Sequence, residues 1–164
     1  MCPLLEGITG NKLEFPVWFG GFYGLRRSEV IGLRWSQIDF DNDLFYVDYT
    51  VTKARVNGKV AEKGNTQTKT EQSRRAHPLI EPLKIKLLQR KNEIEKHRIL
   101  YGNAYNEIFL DFVCVDDLGN RIKLDYVTSM YSILLKKIGL RKIRFHDLRH
   151  PYVKPTTGPV KKSL

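Results

Sequence analysis

The spacing of the apolar residues changes twice along this chain, and that change restricts it to a mixed fold. Up to about residue 35 the apolar positions recur at helical spacing. From Ile38 the stretch IDFDNDLFYVDYTVT alternates, and from Pro82 onward helical spacing returns. Alternation over Ile38–Thr52, broken by Asp41-Asn42-Asp43, predicts a hairpin. Lys53–Asn65 is polar and holds a second turn signal at Asn57-Gly58, and Ser73–Leu79 reads as a third strand. The expected fold class is α+β, mainly helical with a small three-stranded antiparallel sheet.

Five helical segments are expected around that sheet. Cys2–Gly10 is short and ended by Gly10 and Asn11. Leu13–Gly24 places Pro16 in its first turn, and Trp18, Phe19, Phe22 and Tyr23 pack as a buried helix. Leu25–Trp35 carries Leu25, Val30, Ile31 and Leu33 on one face, with Ser28 and Glu29 near its start. Pro82–Tyr101 is long and charged, with Leu83, Leu87 and Ile94 at helical spacing; Tyr126–Ile138 is amphipathic and stopped by Gly139. Ile108–Val115 is expected to be extended and Asp116–Asn120 a turn. Trp18, Trp35 and the Phe/Tyr set are read as core and not as stacking platforms.

At 164 residues with 41% apolar content the chain can bury one core. The balance of 28 Lys+Arg against 18 Asp+Glu leaves +10, which favours a polyanionic partner, nucleic acid first. Cys2 and Cys114 are far apart and neither has a second ligand at metal spacing, so neither a disulfide framework nor a metal site is expected, and a reducing cytoplasm fits. The densest apolar run, Phe15–Tyr23, is too short and glycine-broken to span a membrane. After His150 the chain reads PYVKPTTGPVKKSL, with proline at every fourth position from 151 to 159. That spacing forbids a helix, so residues 1–150 are read as one domain and 151–164 as an atypical, disordered tail, with read-through or frameshift as its suggested origin.

Three basic clusters stand at element boundaries: Gly24-Leu25-Arg26-Arg27-Ser28-Glu29, Thr68-Lys69-Thr70, and His146-Asp147-Leu148-Arg149-His150. Planar guanidinium forks can bond two phosphate oxygens at once, and a lysine and a histidine add donors. Together they suit the charge that develops on a phosphodiester under attack, without a metal. His146 and Arg149, three residues apart, share one helical face. From Arg121 to Arg149 eight basic residues face two acids, which predicts salt-dependent, sequence-blind contact with a duplex.

In this order and spacing the clusters resemble the tyrosine recombinases, the phage-integrase type of DNA strand-exchange enzyme. The matching residues are GLRRSE followed by LRWSQID, Lys69-Thr70 ahead of SRRAHPL, and FHDLRH. The likeness runs from about residue 4 to residue 150 and is closest to integrases of phages and conjugative elements of Gram-positive bacteria. It implies the recombinase catalytic-domain fold, here incomplete. It also implies that Arg26 and Arg149 clamp the scissile phosphate, that Lys69 protonates the leaving 5′ hydroxyl, and that His146 accepts or donates a proton. Glu29 and His150 have supporting roles, and Arg27, Arg74, Arg75 and Arg144 are candidate DNA-backbone contacts. Lys53 and Lys63 compete with Lys69 for the lysine role on other registers.

The family's nucleophilic tyrosine lies beyond a further helix and a Leu-Gly-His segment. Tyr152, the one tyrosine after Arg149, is not assigned that role, so the nucleophile is expected to be absent and the chain inactive alone. The implied partner is double-stranded DNA, with a tetramer on paired sites in the full-length protein. The implied place is the bacterial cytoplasm, at the nucleoid, with no cofactor and no membrane. Two other readings stay open: a non-enzymatic DNA-binding module using Ser28–Trp35 as a recognition helix, and a phosphodiesterase acting directly through His146 or His150.

Overall fold

The apolar segment at residues 13–24 becomes the helix on which the molecule is assembled. The computed structural model describes residues 3–66 and 76–149. Helix α1 (Pro3–Ile8) leads into α2 (Glu14–Phe22), whose Phe15, Val17, Trp18 and Phe19 are all buried. Phe19 meets Phe45 edge-on at 5.3 Å between ring centres, and Tyr23 meets the same ring at 4.8 Å. Edge-to-face pairs of this kind add to area burial. The Tyr23 hydroxyl accepts the Ile80 backbone N–H at 3.2 Å, tying the end of α2 to the start of the long helix.

The sheet has the expected three strands in the order β1 (Ile38–Asp39), β2 (Leu44–Tyr46), β5 (Ala76–Pro78), all antiparallel. Phe45 lies opposite both Ile38 and His77, so the central strand carries the core residue. The Asp39 carboxylate turns the first hairpin by accepting the backbone N–H groups of Asp41 and Asn42. Between β2 and β5 the polar stretch forms something the sequence reading did not separate. β3 (Tyr49–Val56) and β4 (Lys59–Thr66) pair over their full lengths as a ribbon of their own. Their turn is Asn57-Gly58, both at positive φ, as a two-residue hairpin requires.

Helix α4 (Glu81–Tyr101) buries Leu83, Leu87 and Ile94, and α5 (Leu124–Lys137) buries Val127, Tyr131, Leu134 and Leu135. The core joins α1, α2, α3 (Arg27–Ile31), α5 and the inner side of α4, with Phe45 and Val51 from the strands. A smaller cluster of Ile94, Tyr105 and Val115 lies beside it.

Three expectations are corrected. Phe22, expected in a buried helix, ends α2 exposed, with its ring stacked on Trp18. The third helix does not run to Trp35: α3 has five residues, and Trp35–Gln37 is a separate 3-10 turn. The chain leaves the helix because Val113 N–H bonds to Leu33 O at 3.1 Å and Trp35 N–H to Asp111 O at 2.7 Å, while Arg34 pairs with Asp48 at 3.0 Å. Leu33 is buried by these loop contacts and not by helical periodicity. Ile108–Val115 is not a strand either. It holds a 3-10 turn at Glu107–Phe109 and only the isolated pairings Arg34–Phe112 and Val115–Arg121, for no neighbouring strand among the described residues offers it a ladder. No helix among the described residues is long and apolar enough to cross a membrane.

The packing predicts a contrast within α4. Leu83→Ala should cost about 2–5 kcal/mol, the usual loss for a fully buried leucine. Ile99→Ala, at a position 74% exposed, should stay within about 0.5 kcal/mol. Urea unfolding of the two variants checks both.

Candidate nucleic-acid interface

The backbone at Gly24 creates the meeting point of the first and last basic clusters. Gly24 sits at φ +64°, a conformation that suits glycine, and lets the chain double back so that Leu25 N–H reaches Phe19 O at 3.3 Å. At this bend Gly24 lies against Arg149: a Cβ built on Gly24 would stand 3.9 Å from the Arg149 Cα. Arg26 follows two residues later, in extended backbone at the start of α3. The structure therefore brings the chain at Gly24, two residues before Arg26, against the chain at Arg149, although 125 residues separate them.

The last cluster is delivered by aromatic packing. Residues Phe145–Arg149 form a 3-10 helix whose Phe145 and Leu148 are buried. The Phe145 ring rests on Gly20 of α2, where an added Cβ would approach it to 2.9 Å, and it meets Tyr131 of α5 edge-on at 5.5 Å. With three residues per turn, His146 and Arg149 lie above one another on the helix, more nearly aligned than α-helical spacing would place them. His146 is exposed and Arg149 half-buried.

Arg26 and Arg144 are each tied to an acid in their own turn. Arg26 is exposed; its backbone N–H donates to Glu29 Oε2 at 2.6 Å, and its guanidinium lies 3.5 Å from Glu29 Oε1. Glu29 thus lies against Arg26 from one turn on. Arg144 holds Asp147 through two side-chain bonds of 3.1 and 3.2 Å and donates its backbone N–H to the same carboxylate at 3.1 Å. Asp147 is occupied within its own turn, and the Arg144 guanidinium beside it holds its carboxyl below the ordinary carboxylate range. Arg27, expected to touch the DNA backbone, turns its guanidinium to α5, donating to the Thr128 hydroxyl and to Leu124 O at 3.4 Å.

Lys69, Arg74, Arg75, His150 and the tail at 151–164 lie outside the described residues. Of the lysines that compete with Lys69, Lys53 is paired with Asp125 at 2.6 Å and Lys63 is exposed on β4. Sequence reasoning missed Glu62. It sits opposite Lys53 in the ribbon, accepts the Leu124 N–H at 2.7 Å and faces Arg121 at 3.5 Å. Its only sequence signal was an acid in a polar strand, which does not tell which helix it will reach. Among the described residues no group of His, Cys, Asp and Glu could hold a metal ion. Cys114 is buried and its thiol pushed up to about 12, so it is no nucleophile.

Comparison with known proteins agrees with the resemblance. The phage integrase family model matches residues 22–153. A tyrosine recombinase XerC-like protein of Caldanaerobacter subterraneus subsp. tengcongensis is 29% identical over 157 residues, which are 90% of this chain and 39% of that protein. The Tn1549 transposon integrase, solved in complex with circular intermediate DNA, superposes with a TM-score of 0.64 at 22% identity, over 90% of this chain and 48% of that one. The XerA recombinase superposes at 0.58 with 19% identity, over 90% and 44%. The solved structures speak for the fold, and the chain spans less than half the length of these relatives.

The Arg144–Asp147 tie carries a pH signature. A depressed carboxyl stabilises its turn at neutral pH and loses that contribution as pH falls through its folded midpoint, below the ordinary value of 3.8. In an NMR pH titration the Asp147 carboxyl should show this low midpoint, and Arg144→Gln should move it up toward the ordinary value.

Proposed function

We propose that this chain, which belongs to the phage integrase family, acts in site-specific DNA recombination by breaking and rejoining DNA strands. It would supply the phosphate-binding face of a tyrosine recombinase catalytic domain. The observation that supports the reading is the contact of Gly24 with Arg149, which joins the first basic cluster to the last. Two guanidinium groups from opposite ends of the chain can then hold one phosphodiester, each bonding two of its oxygens.

In this reading Arg26 and Arg149 neutralise the charge that builds on the phosphorus centre when a tyrosine hydroxyl attacks. The bond to the 5′ oxygen breaks, a 3′-phosphotyrosine link forms, and Lys69 gives the leaving 5′ hydroxyl its proton. His146 takes or returns a proton on the tyrosine side. The reverse step, with the 5′ hydroxyl of a second DNA strand, rejoins the backbone, so no external energy source is consumed. Glu29 keeps Arg26 in place, and His150 is assigned a supporting role. Arg74, Arg75 and Arg144 contact backbone phosphates on either side. Such fixed cations act in the transition state more than in binding, because they need no reorganisation as charge develops.

The partner is double-stranded DNA, engaged by a tetramer on paired sites, in a bacterial cytoplasm at the nucleoid, on behalf of a phage or another mobile element. The nucleophile is not assigned to any residue of this chain, Tyr152 included. Residues 1–164 alone are therefore expected to bind duplex DNA and not to cut it.

The test uses this chain and supercoiled plasmid without added metal. Duplex binding that weakens steeply with salt, with no nicking, is the expected result. Nicking that disappears in Arg26→Ala would overturn the expectation of inactivity. With a tyrosine nucleophile present, Arg26→Ala and Arg149→Ala should each lower cleavage by roughly 100-fold or more, on the scale of a lost transition-state donor, while affinity for DNA falls much less. Equal losses of cleavage and binding would reduce the two arginines to a binding role and favour a non-enzymatic DNA-binding module.

A further inference from the structure

Three elements meet on the first turn of α5, and two of them bond to the backbone of the same residue. From one side comes α3: the Arg27 guanidinium donates to the Thr128 hydroxyl and to the Leu124 carbonyl, and the Thr128 hydroxyl itself donates to that carbonyl at 3.3 Å. From the other side comes the ribbon: Glu62 accepts the Leu124 N–H, and Lys53 pairs with Asp125. Leu124 is buried, and its backbone N–H is satisfied by a side chain from another element in place of water. Glu62 in effect caps α5 from a distant strand, since the first N–H groups of a helix have no partner within it.

We infer that Arg27 is a positioning residue for Arg26 and not a phosphate contact. Helix α3 has only five residues, too few to hold its own first turn, because nucleating a helix costs more than so short a segment returns. Arg26 stands at the head of that turn, and its one local tie, Glu29, lies within the same short helix. Val30 and Ile31 bury the far side of the helix in the core, and the polar external hold on its first residue is the fork of Arg27 on Thr128 and Leu124. Successive residues at a helix start point about 100° apart, so a guanidinium at 27 turned to α5 leaves its neighbour free to face elsewhere. Arg26 is accordingly exposed while Arg27 is half-buried.

This inference rests on the DNA-processing reading for its purpose, but its test separates the two. The Nε–Hε signals of the arginines are followed by 15N NMR in the intact chain, alone and titrated with a short DNA duplex. The expected result is that the Arg26 signal moves with DNA and the Arg27 signal does not. In salt titrations Arg26→Gln should reduce the slope of log affinity against log salt by about 0.9, the share of one phosphate contact, and Arg27→Gln should leave it unchanged. Thr128→Val removes the acceptor without touching any cation and is the variant least prone to unfold. It should make the Arg26 side chain more mobile and lower affinity by no more than Arg26→Gln does. The double variant Arg27→Gln/Thr128→Val should be no worse than Arg27→Gln alone. A reduced slope in Arg27→Gln, or an Arg26 signal indifferent to Thr128→Val, overturns the inference. If the wild-type chain binds no duplex, the DNA reading fails, and the mobility of Arg26 in free Thr128→Val still decides the positioning role.

Discussion

The Phe145 ring lying on Gly20 is the contact from which the rest of the candidate site follows. A side chain at position 20 would occupy the space of the ring, and the ring, with buried Leu148, holds the 3-10 helix Phe145–Arg149 to the body of the molecule. The same helix α2 supports the sheet through Phe19 on Phe45, and through Gly24 it turns the chain back toward Arg149. One apolar helix therefore carries both halves of the basic cradle, one on its flank and one at its end. Close-packed aromatic contacts of this kind leave few alternative placements, which is what a site built from separated segments requires.

Polar contacts then refine what the apolar core has placed. The local ion pairs Arg26–Glu29 and Arg144–Asp147 are both three residues apart and exposed, and pairs of that kind add little stability. Their effect is orientation: each fixes a cationic side chain relative to its own turn. The less exposed ties cross the molecule. Glu62 joins its strand to the first turn of α5 at Leu124 and to Arg121 just before it, and Arg34 joins the segment after α3 to Asp48 between two strands, where solvent is largely excluded. Arg121 is further held between the rings of Phe109 and Phe112, at 5.2 and 5.5 Å from their centres. The irregular stretch around residue 110 thus serves as the wall against which this arginine stacks.

Much of this was legible before any coordinates. The change of apolar period separated helices from strands, Asn57-Gly58 marked its turn, and Gly24-Leu25-Arg26 and Phe145-His146 stood out as clusters at element boundaries. Glu29 was named as the partner of Arg26 by the family resemblance, and the two do pair within one turn. Arg27 was set apart from Arg26 by the resemblance and read as a DNA-backbone contact; its bond to Thr128, 101 residues away, was not readable. Leu33 misled for a related reason: it falls at helical spacing yet is buried by Val113 and its neighbours, so periodicity reported burial correctly and the element wrongly.

The sequence by itself determined the local chemistry: which segments are apolar on one face, where the chain must turn, and where basic side chains are concentrated. These depend on residues a few positions apart, whose interactions are set by backbone geometry. Only the tertiary structure decided which basic residues share a place, that the polar stretch forms its own ribbon, and that a glutamate on that ribbon caps a helix 62 residues later. Such pairings join distant parts of the chain, and they are chosen by how the apolar faces fit together, a property of the whole packed core and of no single segment.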